Sequence, residues 1–364
     1  MSAAAPLSRA LLTPMALFGR QSDPQALGAT CIGHACTTCG AACMDQLPVQ
    51  RIAAPVLGGV ESDLGELWQS VGECRAGEQE SIRYRADAHV LYGVLEIDES
   101  AFDSAFDSAF ESAFDSDAPS EASPLQRATE EAYRRIFRLL DAEGYPNLWR
   151  VWNYLADINA ESPEWGGLER YRQFNAGRQD AFLASHRLTS GSVPAACALG
   201  VRSGPLTIAF MAGCLPAQPL ENPRQVSAWN YPSDYGPRAP TFSRGALVRL
   251  PGQDLLFISG TASIVGHRTV HVGDATAQTR ETMSNIVAVL AEANRSDPAA
   301  QSYALAVLDY RVYVRHAADF DAVRVEVESA VGESASVVYV QADICRADLL
   351  VEIEATASRA PSPR

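Results

Sequence analysis

The chain has 364 residues, of which 47% are hydrophobic, so it is long enough for two domains with full-sized cores. Its formal net charge of -15 disfavours binding to nucleic acids or anionic membranes, because both need basic patches. All 29 basic residues are arginine, and the lack of lysine excludes Schiff-base chemistry, pyridoxal-phosphate attachment and a Walker-type phosphate loop.

Targeting signals and the arginine content give two further expectations. No apolar run approaches the roughly 18 residues of a membrane-spanning helix, and residues 1–20 lack the apolar core of a signal peptide. We therefore expect a cytoplasmic protein with no membrane partner.

The arginine content indicates a class of substrate. Arginine binds carboxylates through two parallel hydrogen bonds, so the composition suits a small substrate that carries carboxylates.

Residues 1–50 are predicted to be a flexible extension, because they are rich in Ala, Ser, Thr and Gly. Four cysteines and a histidine lie close together in it: Cys31, His34, Cys36, Cys39 and Cys43. Thiolates at this spacing could converge on a zinc ion or an iron–sulfur cluster. Another explanation for residues 1–50 is a start codon placed too far upstream, in which case they would not belong to the protein. Nothing around the cysteines resembles a folded module, so we expect no metal site here.

Residues 51–215 are predicted to form an α+β domain. Alternating apolar and polar residues indicate strands at residues 81–85 and 90–97. A helix begins after Ser123, a good N-cap residue followed by proline, and ends at Gly144. A strand, a helix and two more strands are predicted at residues 148–158, 167–186, 193–201 and 206–214.

An acidic insertion at residues 99–122 interrupts this domain. It contains the sequence AFDS, repeated with little change over residues 101–116. Ser and Asp do not build a core, so a solvated loop is favoured over a helix with a stripe of Phe. An interaction protein without catalytic activity, with this repeat as its contact segment, is one alternative function.

The second half repeats the order of elements. A hairpin at residues 246–259 precedes a helix capped by Asp274. A strand, a helix and two strands follow at residues 303–314, 318–330, 336–340 and 349–355. Both halves read β-β-α-β-α-β-β, which predicts an α+β fold of two tandem units, each a sheet with two helices on one face. Residues 216–245 connect the units, residues 246–357 form the second one, and residues 358–364 are predicted to be a disordered tail.

The last predicted strand places two carboxylates within an apolar run. Val351 and Ile353 share one face of the strand, and Glu352 and Glu354 share the other. A carboxylic acid with apolar neighbours has a raised pKa and can donate a proton near neutral pH. Glu352 is therefore a candidate general acid. The alternative is that the two glutamates line a solvated sheet face.

Six short motifs follow one another in the second unit: ISGTAS at residues 258–263, QT at 278–279, NI at 285–286, VYVR at 312–315, DF at 319–320 and VEIEA at 351–355. Over residues 245–357 they resemble the reactive-intermediate deaminase (RidA/YjgF) family. The resemblance implies the chorismate-mutase-like fold of that family. Its members typically hold a substrate carboxylate with an arginine that would fall near Val337 here, which argues against an imine deaminase or a RidA-like small-molecule-binding protein.

Longer motifs lie upstream. Residues 229–244 read WNYPSDYGPRAPTFSR, residues 257–267 read FISGTASIVGH, and residues 169–175 read ERYRQFN. Together they resemble the chorismatase family over residues 50–357. The resemblance implies a RidA-like fold and the cleavage of chorismate with release of pyruvate, without a metal or cofactor.

The product is indicated by one spacing. In the branches of the chorismatase family that make 3-hydroxybenzoate, in some members alongside 4-hydroxybenzoate, a cysteine lies seven positions before the catalytic glutamate. Cys345 and Glu352 have this spacing, so the resemblance implies a 3-hydroxybenzoate synthase. The alternative within the family is a hydrolase that gives 3,4-dihydroxycyclohexa-1,5-diene carboxylate and pyruvate.

The resemblance also implies roles for individual residues. Glu352 would protonate the enolpyruvyl methylene carbon, and Cys345 would favour attack by the ring hydroxyl over attack by water, unless it is only a small buried side chain. Arginines would bind the two substrate carboxylates: Arg238 and Arg315 in the first place, with Arg170 and Arg172 as further candidates. Each of them could instead pair with a surface acid. The other candidates for substrate binding are Tyr231, Tyr235, Gly260 and Ala262.

Two expectations concern metals and assembly. His267, His271 and His316 could suggest a metal, but no carboxylate lies at ligand spacing, so neither a metal nor a cofactor is expected. RidA-like units usually form trimers with sites between subunits. We therefore expect a trimer-like homo-oligomer, unless the internal duplication takes the place of separate chains.

Overall fold

The computed structural model describes residues 7–33, 47–60, 63–103, 122–298 and 300–361. Its first elements are β1 (Leu7–Leu12), α1 (Pro14–Phe18), β2 (Ala26–Ile32), β3 (Val49–Ile52), β4 (Val56–Gly58) and β5 (Leu64–Ser70). The next are β6 (Arg75–Gln79), β7 (Ile82–Ala86), β8 (Val90–Ile97), α2 (Pro124–Glu143), β9 (Asn147–Ala156), β10 (Glu161–Ser162), β11 (Leu168–Glu169), α3 (Arg170–Ala184), β12 (Ala195–Val201) and β13 (Leu206–Gly213). The last are β14 (Ala217–Leu220), β15 (Gly245–Leu250), β16 (Gln253–Ala262), β17 (Ile264–Val265), β18 (Arg268–Thr269), α4 (Ala275–Arg295), β19 (Asp309–Val314), α5 (Phe320–Val331), β20 (Ser336–Gln341), β21 (Asp343–Ile344) and β22 (Val351–Arg359).

Two seven-stranded sheets have the same core topology. The first contains β7-β8-β13-β9-β12 and the second contains β15-β16-β22-β19-β20, each in that spatial order. In each sheet one pair within this core is parallel, β9 with β12 and β19 with β20. The predicted α+β fold of two tandem β-β-α-β-α-β-β units is therefore confirmed.

Local signals fix the helices of both repeats. The Ser123 hydroxyl accepts a hydrogen bond from the Gln126 amide at the start of α2, and Gly144 ends this helix with a φ of 80°. The Asp274 carboxylate accepts from the Ala277 amide at the start of α4. In each repeat both helices pack on the same face of the sheet and enclose a hydrophobic core with it.

A third sheet, with the order β1-β5-β2-β3, comes from the N-terminal residues. Every residue of β2 is buried, so the prediction of a flexible extension is wrong for residues 7–33. Its strands pair mainly with β5, which lies more than thirty residues further along the chain, and such a pairing leaves no local sequence signal. Cys31 is buried on β2, and residues 34–46, with the other predicted metal ligands, lie outside the described residues.

The helix-free faces of the three sheets meet around one interior. Trp68 of β5, Trp152 of β9 and Phe257 of β16 are in ring contact there, with centroids 6.1 and 6.3 Å from that of Phe257. This interior also buries the inward face of β22, where Glu352 is 3% and Glu354 5% exposed. The alternative of a solvated sheet face is therefore wrong, because the other two sheets cover it.

Short strands tie the repeats together and correct two predicted boundaries. β21 of the second repeat pairs with β12 of the first, and β4 pairs with β20. β22 continues through Arg359, which is ion-paired with Asp254 at 3.3 Å, so residues 358 and 359 do not belong to a disordered tail. The segment at 216–245 contributes β14 to the edge of the second sheet. The AFDS repeat lies outside the described residues from position 104 to 121.

Within the described ranges, no helix is long and apolar enough to cross a membrane.

Candidate active site

A cavity of about 450 Å³ lies between the two repeats. Its walls come from α3 and the loop before it, the segment that connects the repeats, β16, and the stretch between β21 and β22. Seven of the ten predicted site residues line it: Arg172, Tyr231, Tyr235, Gly260, Ala262, Cys345 and Glu352. Both repeats and their connection therefore contribute to one site.

A second, smaller cavity of about 30 Å³ adjoins the first. Both cavities share the side chains of Tyr171, Phe242, Cys345 and Glu352, and the smaller one also touches Arg178 and Cys197. We call these the outer and the inner chamber. Glu352 borders both chambers, so a ligand that enters from the outer chamber can contact its carboxyl group.

Glu352 is held as a protonated acid at neutral pH. Burial raises the pKa of Glu352 to about 8, and the negative charge of Glu354 acts in the same direction, while Arg150, Arg244 and Arg315 oppose them. Within the described part of the chain, its carboxyl group forms no ion pair and no side-chain hydrogen bond. A proton that no neighbour holds is free for transfer to a ligand.

Gly260 makes room for this carboxyl group. It lies at an irregularity of β16, where the pairing with β22 shifts register between Ile258 and Thr261. A Cβ atom at position 260 would lie 1.9 Å from Oε1 of Glu352 and 3.1 Å from Cβ of Cys197. Gly260 was predicted as a substrate-binding residue; in the structure it lines the cavity, and its missing side chain also leaves the space that Glu352 occupies.

Three arginines face the chambers without a carboxylate partner among the described residues. Nη2 of Arg244 donates to the Val226 carbonyl at 3.0 Å and to the Tyr231 hydroxyl at 2.7 Å. Arg346 lies over the Tyr235 ring at 4.2 Å. Arg178 is 2% exposed, lies over the Phe174 ring, and has a buried Nε atom without a hydrogen-bond partner. Arg178 and Arg244 are buried, and buried cations without counter-ions are costly, so this arrangement suits an anionic ligand.

These three arginines were not among the predicted site residues. Arg244 is the last residue of the 229–244 motif, and Arg346 directly follows Cys345, so both lay next to signals already noted. Arg178 follows Phe174 by one helical turn, and this spacing places it on the buried face of α3. The sequence signal that could have identified Arg178 as a site residue is therefore its place on the buried face of a helix.

The arginines predicted to bind substrate are mostly occupied elsewhere. Arg238 is not a cavity residue: its side chain is 48% exposed and pairs with Asp180 at 3.2 Å. Arg170 also lies outside the cavity and pairs with Glu99 at 2.8 Å. Arg172 lines the outer chamber, with Nε 3.4 Å from a carboxylate oxygen of Glu169.

Arg315 has a structural position instead of the predicted contact with substrate. Its guanidinium group donates to the carbonyl oxygens of Leu349, Ile344 and Arg346, at 2.7, 3.0 and 2.8 Å. It also pairs with Asp343 at 2.7 Å. These bonds use all three of its nitrogens and fix the loop between β21 and β22, which carries Cys345 and Arg346 into the cavity.

The aromatic and sulfur groups complete the walls. The ring centroids of Tyr231 and Tyr235 are 5.3 Å apart, and those of Tyr235 and His267 are 5.8 Å apart in an edge-to-face arrangement. Burial, with the nearby charge of Glu352, raises the pKa of Cys345 to about 12, so its thiol is protonated at neutral pH. Across the described ranges, no group of three or more His, Cys, Asp or Glu side chains is placed to hold a metal ion.

The fold and the site define a duplicated RidA-like protein with a buried acid and unpaired arginines at the junction of its repeats. Comparisons with known proteins agree. A family model described as "Chorismatase FkbO/Hyg5-like, N-terminal" matches residues 66–212, and one described as "Endoribonuclease L-PSP" matches residues 239–359.

Relatives and a solved structure cover most of the chain. A chorismatase of Streptomyces rapamycinicus is 35% identical over 299 residues, which is 81% of this chain and 82% of the relative. A 3-hydroxybenzoate synthase of Streptomyces hygroscopicus is 35% identical over 297 residues, 79% of this chain and 80% of the relative. A crystal structure of a chorismatase matches with a TM-score of 0.78 and 30% identity over 98% of this chain and 100% of the other. The chain belongs to the chorismatase family.

The contact between Gly260 and Glu352 can be tested by a double-mutant cycle. We expect Gly260→Ala to lower the free energy of unfolding by about 1–3 kcal/mol, because the new methyl group overlaps the carboxyl group. In a Glu352→Ala background the same change should cost much less, and chemical denaturation of all four proteins measures the difference.

The control is Gly72→Ala, since the nearest atom to a Cβ there is 3.9 Å away. A destabilisation by Gly260→Ala that is unchanged when Glu352 is Ala would contradict the proposed packing.

Proposed function

We propose that this protein cleaves chorismate to 3-hydroxybenzoate and pyruvate, with Glu352 as the proton donor. The observation that carries the proposal is a carboxylic acid with a pKa of about 8 that borders a cavity of about 450 Å³. That volume is in the usual range for small-molecule sites. The activities in the names of relatives 35% identical over about four fifths of the chain point to the same substrate and product.

The cleavage of chorismate begins with the transfer of a proton to a carbon atom of the enolpyruvyl group. The enolpyruvyl ether becomes reactive when its methylene carbon takes the proton of Glu352, which gives an oxocarbenium ion and weakens the bond between the ether oxygen and the ring. Pyruvate leaves as that bond breaks, and the neighbouring ring hydroxyl oxygen bonds to the vacated carbon while its proton replaces the one that Glu352 gave, so an epoxide forms. The bond between this oxygen and its original carbon then breaks, the carbon that keeps the oxygen loses its hydrogen as a proton, and the oxygen takes up a proton, which gives the aromatic acid. The products together contain the atoms of chorismate, so no water is consumed.

The two carboxylates of chorismate give the substrate an orientation. The enolpyruvyl carboxylate is bonded next to the carbon pair that Glu352 must protonate, so it falls closest to the inner chamber and Arg178. The ring and its carboxylate then lie in the outer chamber, within reach of Arg244 and Arg346. In this orientation forked guanidinium groups hold both ends of the substrate while the acid meets the middle.

Cys345 is our candidate for the residue that selects the product. It borders both chambers and stays uncharged, so it fills space near the ring without attracting water. Hydrolysis to the diene diol consumes one water molecule at the step where the aromatic product needs none. A smaller side chain at position 345 would admit that water, which is why the hydrolytic outcome is the second candidate.

Arg178→Met should raise the KM for chorismate and lower kcat/KM by roughly 10- to 100-fold, because a charge-assisted hydrogen bond to substrate is lost. Pyruvate should no longer act as a product inhibitor of this variant, whereas inhibition by 3-hydroxybenzoate should persist. The free energy of unfolding should stay the same or rise, since the cation has no carboxylate partner in the free protein.

Arg238→Met is the matched control, because Arg238 is exposed and paired with Asp180; its kinetics should match those of the wild type. Retained inhibition of Arg178→Met by pyruvate, together with lost inhibition by 3-hydroxybenzoate, would reverse the proposed orientation.

Chromatography of reactions with chorismate tests the function itself. The wild type should form 3-hydroxybenzoate and pyruvate in equal amounts, and Glu352→Gln should form neither. Cys345→Ala should shift the product towards the diene diol or lose activity, and Cys214→Ala, which changes an exposed thiol, should keep the wild-type products.

An unchanged product profile of Cys345→Ala would refute its role. Release of ammonia from an imino acid, with no turnover of chorismate, would refute the function in favour of a deaminase.

A further inference from the structure

We propose that Glu354 keeps the proton on Glu352, and that a buried chain of ion pairs reaching into the N-terminal sheet holds Glu354 as the carboxylate that does so. Glu354 is then a positioning residue, because it does not line either chamber. The inference rests on the proposed function, since Glu352 must be protonated to act as an acid.

The strand geometry brings the two carboxyl groups together. Glu352 and Glu354 are two residues apart on β22 and point to the same face, so their Cα atoms are roughly 7 Å apart and their side chains are neighbours. Both are buried, and water does not screen them from one another. Under these conditions a negative charge on one carboxyl group opposes the loss of the proton from the other, and the surroundings decide which one keeps its proton at neutral pH.

The surroundings favour charge on Glu354. Its carboxylate is ion-paired with Nη2 of Arg150 and lies 3.2 Å from Nη1 of Arg311. The Tyr313 hydroxyl donates to its Oε1 at 3.1 Å. Two cations and a hydroxyl donor thus contact the carboxyl group of Glu354, whereas the carboxyl group of Glu352 has no such partner in the described ranges.

The chain of charges continues into the third sheet. Nη2 of Arg311 lies 2.5 Å from Oε2 of Glu66 on β5, and Nη2 of Arg9 on β1 lies 2.5 Å from the same oxygen. Burial opposes the ionisation of Glu66, but Arg311 and Arg9 outweigh it and lower the pKa of Glu66 to about 2. Glu66 therefore stays charged at any pH where the enzyme works, and it fixes the position of Arg311 beneath Glu354.

Arg150 has the decisive position in this network. Its Nη2 is committed to Glu354, and its side chain also lies over the Trp152 ring at 5.1 Å. If Arg150 were released from Glu354, its charge would be available to Glu352 and would favour loss of the proton there.

Several titratable and charged groups face Glu352 from the elements packed around it. They are Glu354, Arg150, Arg244, Arg315, Cys197, Cys345 and Tyr171.

The test is the pH dependence of kcat/KM for chorismate in two variants with opposite expected shifts. The wild-type rate should fall as the pH rises through the pKa of Glu352, because only the protonated acid can react. In Glu354→Gln the negative neighbour is lost, so this fall should move to lower pH by about one unit or more and cut kcat/KM at pH 8 by about fivefold or more. In Arg150→Met the opposing cation is lost, so the fall should move to higher pH.

Arg280→Met is the matched control, because Arg280 pairs with Glu326 on the surface and lies outside this network. Its profile should coincide with that of the wild type. General damage to the fold cannot move the two profiles in opposite directions. If Glu354→Gln does not fold, a shift of Arg150→Met to higher pH still supports the inference, and its absence contradicts it.

The outcomes distinguish a failure of this inference from a failure of the proposed function, the cleavage of chorismate. A wild type that does not turn over chorismate refutes the function and the inference together. A wild type that turns over chorismate, with both variants keeping its alkaline limb or shifting it in the same direction, refutes the inference alone.

Discussion

The structure depends on the closure of three helix-free sheet faces around one interior. Each sheet of the two repeats is covered by helices on its other side, so its second face must be buried against something. The two repeats and the N-terminal sheet bury these faces against one another. This closure removes water from the inward side of β22, and burial there raises the pKa of Glu352 enough for it to keep its proton at neutral pH.

The same closure makes the two repeats unequal. β13 of the first repeat occupies the position that β22 has in the second, between the equivalents of β16 and β19. Its inward residues include Ala209 and Met211, which belong to the central apolar core. The inward residues of β22 include the two glutamates. The first repeat contributes Arg178 and Cys197 from other elements, so neither repeat contains a complete site.

The parts of the fold and of the site that could be predicted are those whose sequence signals lie within a few neighbouring residues. The order of elements in both repeats could be predicted, because caps such as Ser123 and strand periodicity act within a few residues. The N-terminal sheet could not, because its strands are defined by pairing with β5 and by ring contacts to the repeats. For the site, Glu352 and Cys345 stood out by their places in the last strand and the loop before it. The arginines did not, since Arg238 and Arg244 look alike in sequence and differ only in which groups surround them.

The central claim is that Glu352 is protonated at neutral pH, and infrared spectroscopy measures this most directly. Difference spectra recorded while the pH is raised should show the C=O stretching band of a protonated carboxyl group disappearing with a midpoint near pH 8. The band should be absent from Glu352→Gln. A wild-type spectrum without this band at neutral pH, or a band that persists in Glu352→Gln, would contradict the account.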